Sequence, residues 1–415
     1  AACHIAERQF LELVKRYGVE TVGTYMEEII DYAERLTRAA ISTLPDGEYA
    51  FEDWIDDDGI DIDTPIRLHV TITKSEDKML VDWAGSSDQV KGAINNTLSF
   101  TKAASYTGIR SVLPDGIPNN EGVFRAIDVT APPGSIANGV LPAACAARGL
   151  TGFRMVDCML GALAKMLPDK VCAASDGGNS GVSIGGYDKN RNPYIYVDFA
   201  CGTWGGRPWA DGLQGNSNMF ANMASQSVEV IEAEQPIEIL AYELLPDRAG
   251  AGKFRGGAPY CREYRFTESE AVLQVRTDRA KFRPYGLYGG HPGQGSANYL
   301  NPGRENRKLT SKPTMTIKMG DVFRHELAGG GGWGDPLDRD PTLVLKDVLD
   351  ELVSIDAARR QYGVVINLDH RNVEASATNA LRAELRSQRS WSDPPVVSRD
   401  DSGIINALDT EDKKP

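Results

Sequence analysis

Residues Ala328–Pro336 read AGGGGWGDP, and whether this glycine run cradles a dinucleotide decides between a Rossmann sheet and a different fold. In regular structure each glycine costs roughly 0.5–1 kcal/mol relative to alanine. Four in succession therefore need a compensating use: a phosphate cradle, a close backbone approach to something bulky, or a solvent loop. The run contains G-x-G-x-x-G at Gly329, Gly331 and Gly334, and a predicted strand, Val322–Leu327, precedes it. A dinucleotide fingerprint also needs a helix that opens on the last glycine, because its N-terminus holds the pyrophosphate. Here Asp335-Pro336 and a further polar turn intervene, so the stretch is not that fingerprint. Gly252-Lys253 fails as a nucleotide loop as well: Phe254 stands where Ser or Thr would meet magnesium, and no glycine lies five positions before Gly252.

Working outward, the chain upstream reads as strands separated by glycine loops. Tyr194–Phe199, Ile237–Leu244, Cys261–Phe266, Val272–Thr277 and Met315–Lys318 carry the β-branched and aromatic alternation of strands. Before Val171 the period differs. Ile5–Tyr17 and a second segment built on Val22, Tyr25, Met26, Ile29, Ala33, Leu36 and Ala40 have helical spacing, with Gly18 between them, which predicts a helical hairpin. Ile66–Ile72 and Met79–Trp83 alternate as a β-hairpin, and helices are expected near Phe100–Val112 and Leu150–Leu167. Downstream, Asp340 with Pro341 and then Ser354 open two short helices, the second ending at Gly363. The fold class is therefore mixed α+β, helical at its start, β-rich and glycine-rich in the middle, with a short C-terminal helical pair. The expected organisation is 1–170, 171–340 and 341–369, then a polar, disordered or extended tail over 370–415.

The chain has 415 residues, 41% hydrophobic and 25% charged, with a net charge of −13. That is a globular balance, long enough for two domains or one elaborated one. The acidity argues against nucleic acid or an anionic membrane as the main partner. No apolar run approaches the about 18 residues of a membrane span and no secretory leader is visible, so a cytoplasmic location is expected. Six scattered cysteines show no C-x-x-C spacing, which predicts reduced core residues rather than disulfides or zinc.

Three glycine loops carry the candidate chemistry: SDGGNSG (Ser175–Gly181), CGTWGGRPWADG (Cys201–Gly212) and TDRAKFRPYGLYGG (Thr277–Gly290). Loops of this kind at strand ends converge on clefts and offer backbone N–H groups to anions. Asp176, Asp211 and Asp278 are the candidate bases or orienting groups; Arg207 and Arg279, with Asn179 and Gly331, are the candidate substrate or phosphate contacts. Tight turns with aspartate caps and local arginine pairs would give the same pattern. Gly331→Val is expected to abolish turnover with the fold intact. The acidic stretch EDWIDDDGIDID (Glu52–Asp63) reads as a solvated turn, since its spacing does not fit a calcium loop. His325 falls on an apolar face and reads as a core histidine, His69 as a surface one; His291 is a loop histidine without an assigned use.

Taken in order, AERQFLELVKRYG, MEEIIDYAERLTRAAI, VKGAINNTLSFTKAA, IPNNEGVFRAIDV, ELLPDRAGAGKFRGG, TDRAKFRPYGLYGGHPG, MGDVFRHELAGGGGWGDP and DVLDELVSIDAARRQYGVVI resemble the hydantoinase B/oxoprolinase family across about Ala1 to Ile366. The resemblance implies a B-type subunit of an ATP-dependent cyclic-amide hydrolase. It would be paired with a hydantoinase A type subunit that binds ATP and phosphorylates the substrate carbonyl oxygen. Ring opening by an activated water would follow here, with a divalent metal (Mn, Zn or Fe) lowering the water pKa. The related branch implies an alternative, a subunit of an acetone or acetophenone carboxylase. A non-catalytic scaffold subunit is the alternative of another class. Family members carry a further N-terminal region, rich in histidine and aspartate, that holds the metal in the carboxylase branch. Its absence here implies that the metal ligands lie outside this chain, on a separate polypeptide if the chain is whole.

Overall fold

The apolar spacing of the first 42 residues folds as two helices, α1 (Ala2–Tyr17) and α2 (Val19–Ser42), in a computed structural model that describes residues 1–178, 180–389 and 391–399. Gly18, at φ 83°, makes the turn between them. Only the C-terminal half of α2 reaches the body of the protein, through Ala33, Thr37 and Ile41; α1 buries nothing. Strands β1 (Gly47–Ile55), β2 (Ile66–Ser75) and β3 (Lys78–Asp82) form an antiparallel sheet. Ile66, Leu68, Val70 and Ile72 point into the core, as their alternation predicts. Helix α3 (Leu98–Arg110) and the single turn α4 (Glu121–Phe124) lead to β4 (Ile127–Thr130), which pairs parallel to β3. Helix α5 (Arg148–Ala164) then crosses the inner face of this sheet, buried over every residue from Leu150 to Ala164. A helix apolar all round belongs in a core. Gly152 and Gly161 let it sit against Phe100 and Phe51, leaving less than 3 Å for an added Cβ at either place.

The second half is a sandwich. One antiparallel sheet contains β5 (Ser180–Tyr187), β6 (Pro193–Ala200), β9 (Glu270–Arg276) and β13 (Thr314–Lys318), ordered β13-β9-β5-β6. The other contains β7 (Ile237–Leu244), β8 (Tyr260–Phe266), β11 (Ala297–Leu300), β12 (Arg307–Leu309) and β14 (Val322–Glu326), ordered β12-β11-β14-β8-β7. Val182, Ile184, Tyr196, Leu273 and Val275 of the first pack into one cluster with Tyr264, Phe266, Leu300 and Phe323 of the second. A short helix, α6 (Val228–Glu234), and a two-residue strand, β10 (Gly286–Leu287), complete this half.

At the C-terminal end, α7 (Pro341–Leu349) and α8 (Ile355–Tyr362) start where their caps predict. Asp340 accepts the Thr342 N–H at 2.8 Å and Ser354 accepts the Ala357 N–H at 3.1 Å, and Gly363 ends α8 in the left-handed conformation. Ser354→Ala should lower the stability measured by urea unfolding by about 1 kcal/mol, the worth of one N-cap. The tail departs from expectation. Residues 375–387 form helix α9 (Ala375–Ser387), preceded by β15 (Ile366–Asn367) and β16 (Asn372–Val373), and β17 (Val397–Ser398) pairs with β10. Polar composition there hides an arginine row: Arg382 binds the Tyr362 and Arg339 carbonyls at 3.0 and 2.7 Å, and Arg386 binds Asp338 at 2.6 Å. The expected tail beyond Arg399 lies outside the described residues. Among the described residues no helix is long and apolar enough to cross a membrane.

Between the two halves lies AGGGGWGDP, and its four glycines are spent on contact between backbones. Gly329, Gly330, Gly331 and Gly332 donate to Gln294, Gly257, Ala174 and His291 at 2.9–3.2 Å, while Gly330, Gly331 and Gly332 accept from Gly250, Gly206 and Leu287 at 2.8–2.9 Å. The first and fourth glycines address the same 291–294 segment. A Cβ on any of the four would stand 1.9–2.1 Å from the carbonyl oxygen of Arg248, Trp204, Tyr285 or Ala251. Those neighbouring segments are glycine-rich for the same reason: Gly256 and Gly293 each leave only 2.0 Å for a Cβ against this run.

Candidate functional site

Helix α5 carries Arg154 and Asp157 in a wholly buried stretch, and buried charges demand partners. They find them in three segments. The end of β1 and the turn after it bring Asp53, Asp56, Asp57 and Asp58; the loop after β9 brings Asp278 and Arg279; the approach to β13 brings Lys312. Arg154 binds Asp278 at 2.5 Å and the Trp54 carbonyl at 2.6 Å. Arg279, at φ 71°, bridges Asp53 at 2.9 Å and Asp157 at 2.7 Å. Lys312 lies 3.3 Å from Asp278. The predicted solvated turn at Glu52–Asp63 is corrected here: Asp56 is 1% exposed and accepts the N–H groups of Ala280, Lys281 and Phe282 at 2.8–3.2 Å, and Asp58 accepts those of Ile60, Asp61 and Gly92.

Asp176 stands on the rim of this cluster. Its backbone N–H binds the Thr203 carbonyl at 3.1 Å, but neither carboxyl oxygen has a hydrogen-bond partner among the described residues. Burial, and then the negative charge of Asp157, push it up to about 8; Gly178, Arg279 and Arg154 offset this only in part. Gly177 beside it, at φ 60°, faces the Nε atoms of Arg154 and Arg279, each 2.8 Å from the place of a Cβ, and both Nε atoms lack a partner among the described residues. Ser175 extends the network: its hydroxyl meets Asp157 at 3.1 and 3.2 Å and accepts from Gly177 and Asn218 at 2.9 Å. Seven buried aspartates (53, 56, 57, 58, 157, 176 and 278) thus face three buried cations. The excess is relieved by backbone N–H groups and by protons: burial and the Asp278 charge also raise Asp56, to about 6.

The candidates from the sequence divide between two clusters. Asp176, Asp278 and Arg279 meet in the one just described. Arg207 and Asp211 belong to another, in which Asp211 receives both guanidinium nitrogens of Arg339 at 2.6 and 2.7 Å and the Arg255 N–H at 2.8 Å. Burial would raise Asp211, but the Arg339 pair overrides it and holds the carboxyl low. Arg207 donates to the Asp211 carbonyl at 2.6 Å. Gly331 ties the two, donating to Ala174, two residues before Asp176, and accepting from Gly206 beside Arg207, so its N–H and carbonyl are both engaged. Asn179 lies outside the described residues. His325 is a buried histidine bound to Asn298 at 2.8 Å, lowered to about 4 by burial. Sequence reasoning passes over Arg154, Asp157, Asp53, Asp56 and Lys312. The available signal is the pair of charges inside RGLTGFRMVDCMLGALA, a helix otherwise apolar on all sides.

Among the described residues no group of three or more His, Cys, Asp or Glu side chains is set to hold a metal ion. Apart from Asp176, which stands alone, the buried carboxylates of the cluster are turned toward guanidinium, ammonium and amide groups, so these residues do not fit the divalent metal.

The hydantoinase B/oxoprolinase family matches residues 1–336. The B subunit of a putative D-/L-hydantoinase of Pseudomonas sp. (strain NS671) is 33% identical over 396 residues, 92% of this chain and 66% of that protein. The beta subunit of the caprolactamase of Pseudomonas jessenii is 31% identical over 396 residues, 92% of this chain and 67% of that one. Among solved structures, the ATP-dependent caprolactamase from Pseudomonas jessenii superposes with a TM-score of 0.83 at 27% identity over 92% of this chain and 68% of its own. Nucleotide-free acetone carboxylase superposes with a TM-score of 0.80 over 99% of this chain and 60% of its own, at 19% identity, a likeness of fold alone. The chain thus spans about two thirds of the length of these relatives. On the extent of the match and on the shared fold, it belongs to the hydantoinase B/oxoprolinase family.

Proposed function

We propose that this chain is the B-type component of an ATP-dependent cyclic-amide hydrolase, and that it opens a ring whose carbonyl oxygen a hydantoinase A type subunit has phosphorylated. The observation that carries this reading is the identity of 33% and 31% over 92% of the chain to proteins named as the B subunit of a hydantoinase and the beta subunit of a caprolactamase. Both names denote cyclic amides. Phosphorylation removes amide resonance, so that water can attack the ring carbon; collapse of the adduct breaks the C–N bond and leaves an acyl phosphate, which a second water hydrolyses to carboxylate and inorganic phosphate. The ring nitrogen then needs a proton as its bond to carbon breaks. Asp176, raised to about 8 and so protonated at neutral pH, is the proposed donor. Arg154 and Arg279 hold the cluster around it and are proposed to stabilise negative charge nearby. The divalent metal of the family is proposed to sit on residues outside this chain.

The test is turnover with the A-type subunit, ATP and either hydantoin or caprolactam. Ring opening that depends on ATP and releases phosphate is expected. Incorporation of labelled bicarbonate into a ketone in its place, or ATP hydrolysis by this chain alone, would overturn the reading.

A further inference from the structure

A cleft of about 560 Å³ opens between the N-terminal end of α5 and the outer face of the β6-β5-β9 sheet, within the usual range for small-molecule sites. Alternation places it. Val182, Leu273 and Val275 turn into the sandwich core, so their neighbours Gly181, Gln274 and Arg276 line the cleft on the other face. Among the described residues no acidic residue lines it, whereas Arg148 and Arg276 both do. Elsewhere in this chain the arginines of the interior face carboxylates: Arg154 meets Asp278, Arg279 meets Asp53 and Asp157, and Arg339 meets Asp211. Arg276 instead donates to the carbonyl of its own neighbour Val275 at 2.8 Å, and burial lowers its pKa with no carboxylate to compensate. Arg148 spreads over the Phe100 ring with its guanidinium carbon 5.3 Å from the centroid and donates to the Cys145 carbonyl at 3.4 Å. Neither arginine has a carboxylate partner among the described residues. Phe100, Phe153 and Phe199 supply apolar walls.

Two guanidinium groups with unspent donors in a cleft that three aromatic rings also line are a receptor for an anion carried on a flat apolar body. We propose that the cleft binds a small organic anion of this kind, its phosphate or carboxylate oxygens held by Arg148 and Arg276 and its ring against the phenylalanines. The cleft adjoins the buried cluster through the chain itself, since Phe153 precedes Arg154 and Arg276 stands two residues before Asp278. Naming the physiological occupant as a phosphorylated cyclic amide rests on the function proposed above; the anion chemistry does not.

Phenyl phosphate and phenol, titrated by calorimetry into the purified chain without nucleotide or partner, test this. Phenyl phosphate should bind, and phenol should bind roughly tenfold more weakly, about 1.4 kcal/mol. Arg276→Gln and Arg148→Gln should each weaken phenyl phosphate roughly tenfold, with unfolding midpoints unchanged because no ion pair is broken. Ser183→Trp, which fills the cleft, should abolish binding. Phenol bound as tightly as phenyl phosphate, equal affinity in the double arginine variant, or no binding to the unmodified chain would each overturn the proposal. Because binding is read without ring opening, its failure leaves the hydrolase reading standing, and failed ring opening leaves the cleft standing.

Discussion

Gly331→Val should yield no folded protein. The added Cβ would lie 1.9 Å from the Tyr285 carbonyl oxygen and 2.6 Å from its carbon, and both are backbone atoms that cannot swing aside. Moving Tyr285 displaces the Ala174 N–H that binds its carbonyl at 3.1 Å, and moving Gly331 breaks bonds to Ala174 and Gly206. A penalty above about 5 kcal/mol is expected, at the extreme of single substitutions and comparable to the whole stability of many domains. The sequence alone predicts a fold that tolerates valine at residue 331; backbone packing on both sides of it reverses that. Soluble yield and far-ultraviolet circular dichroism check the outcome. Gly116→Ala, where nothing lies within 4 Å of the new Cβ, is the control and should stay within about 0.5 kcal/mol of the parent. A folded Gly331→Val protein would show that the glycine run is not packed as described.

Asp176→Asn should cost turnover roughly 10²- to 10⁴-fold if the carboxyl transfers the proton, and it should also change how stability depends on pH. The carboxyl sits at about 8 when folded, against its ordinary value of 3.8. Between these values the folded chain holds a proton that the unfolded chain has released, so stability falls as pH rises. The contribution is complete below the unfolded pKa and is lost as pH climbs through 8, with a slope of up to about 1.4 kcal/mol per pH unit. Asparagine does not titrate. The variant should therefore gain on the parent from pH 5 to pH 8 and be the more stable of the two at pH 9, as read by urea unfolding at each pH. Asp56 is raised as well, but it is present in both proteins and cancels from the comparison. Parallel curves for parent and variant would remove the raised pKa, and with it the acid role.

What can be read in the sequence follows its periodicities. The two N-terminal helices, the β2–β3 pair, Ile237–Leu244 and both caps at Asp340 and Ser354 announce themselves locally. Strand β5, SGVSIGGY, carries no such signal, because its outward positions are Gly181, Ser183 and Gly185, which make one face of the sheet small rather than polar. Strand β1 is masked by the acids that follow it, whose partners Arg279 and Lys312 lie more than two hundred residues away. For the site, sequence brings forward Asp176, Asp278 and Arg279 from two loops, and these meet. It has no means of separating them from Arg207 and Asp211, since membership of a cluster is set by which backbone segments the glycine run draws together.

That glycine run also fixes the order in which the protein can assemble. Its hydrogen bonds reach residues 174, 206, 250, 257, 287, 291 and 294, so no short contiguous fragment contains the whole set, and closing each of those loops costs entropy before the last bond returns it. Contacts this distant along the chain slow folding. The two sheets and helix α5 can acquire their local shape early, but the interior that joins them must wait until residue 332 has been synthesised. Nascent chains shorter than that should remain open to protease between the halves.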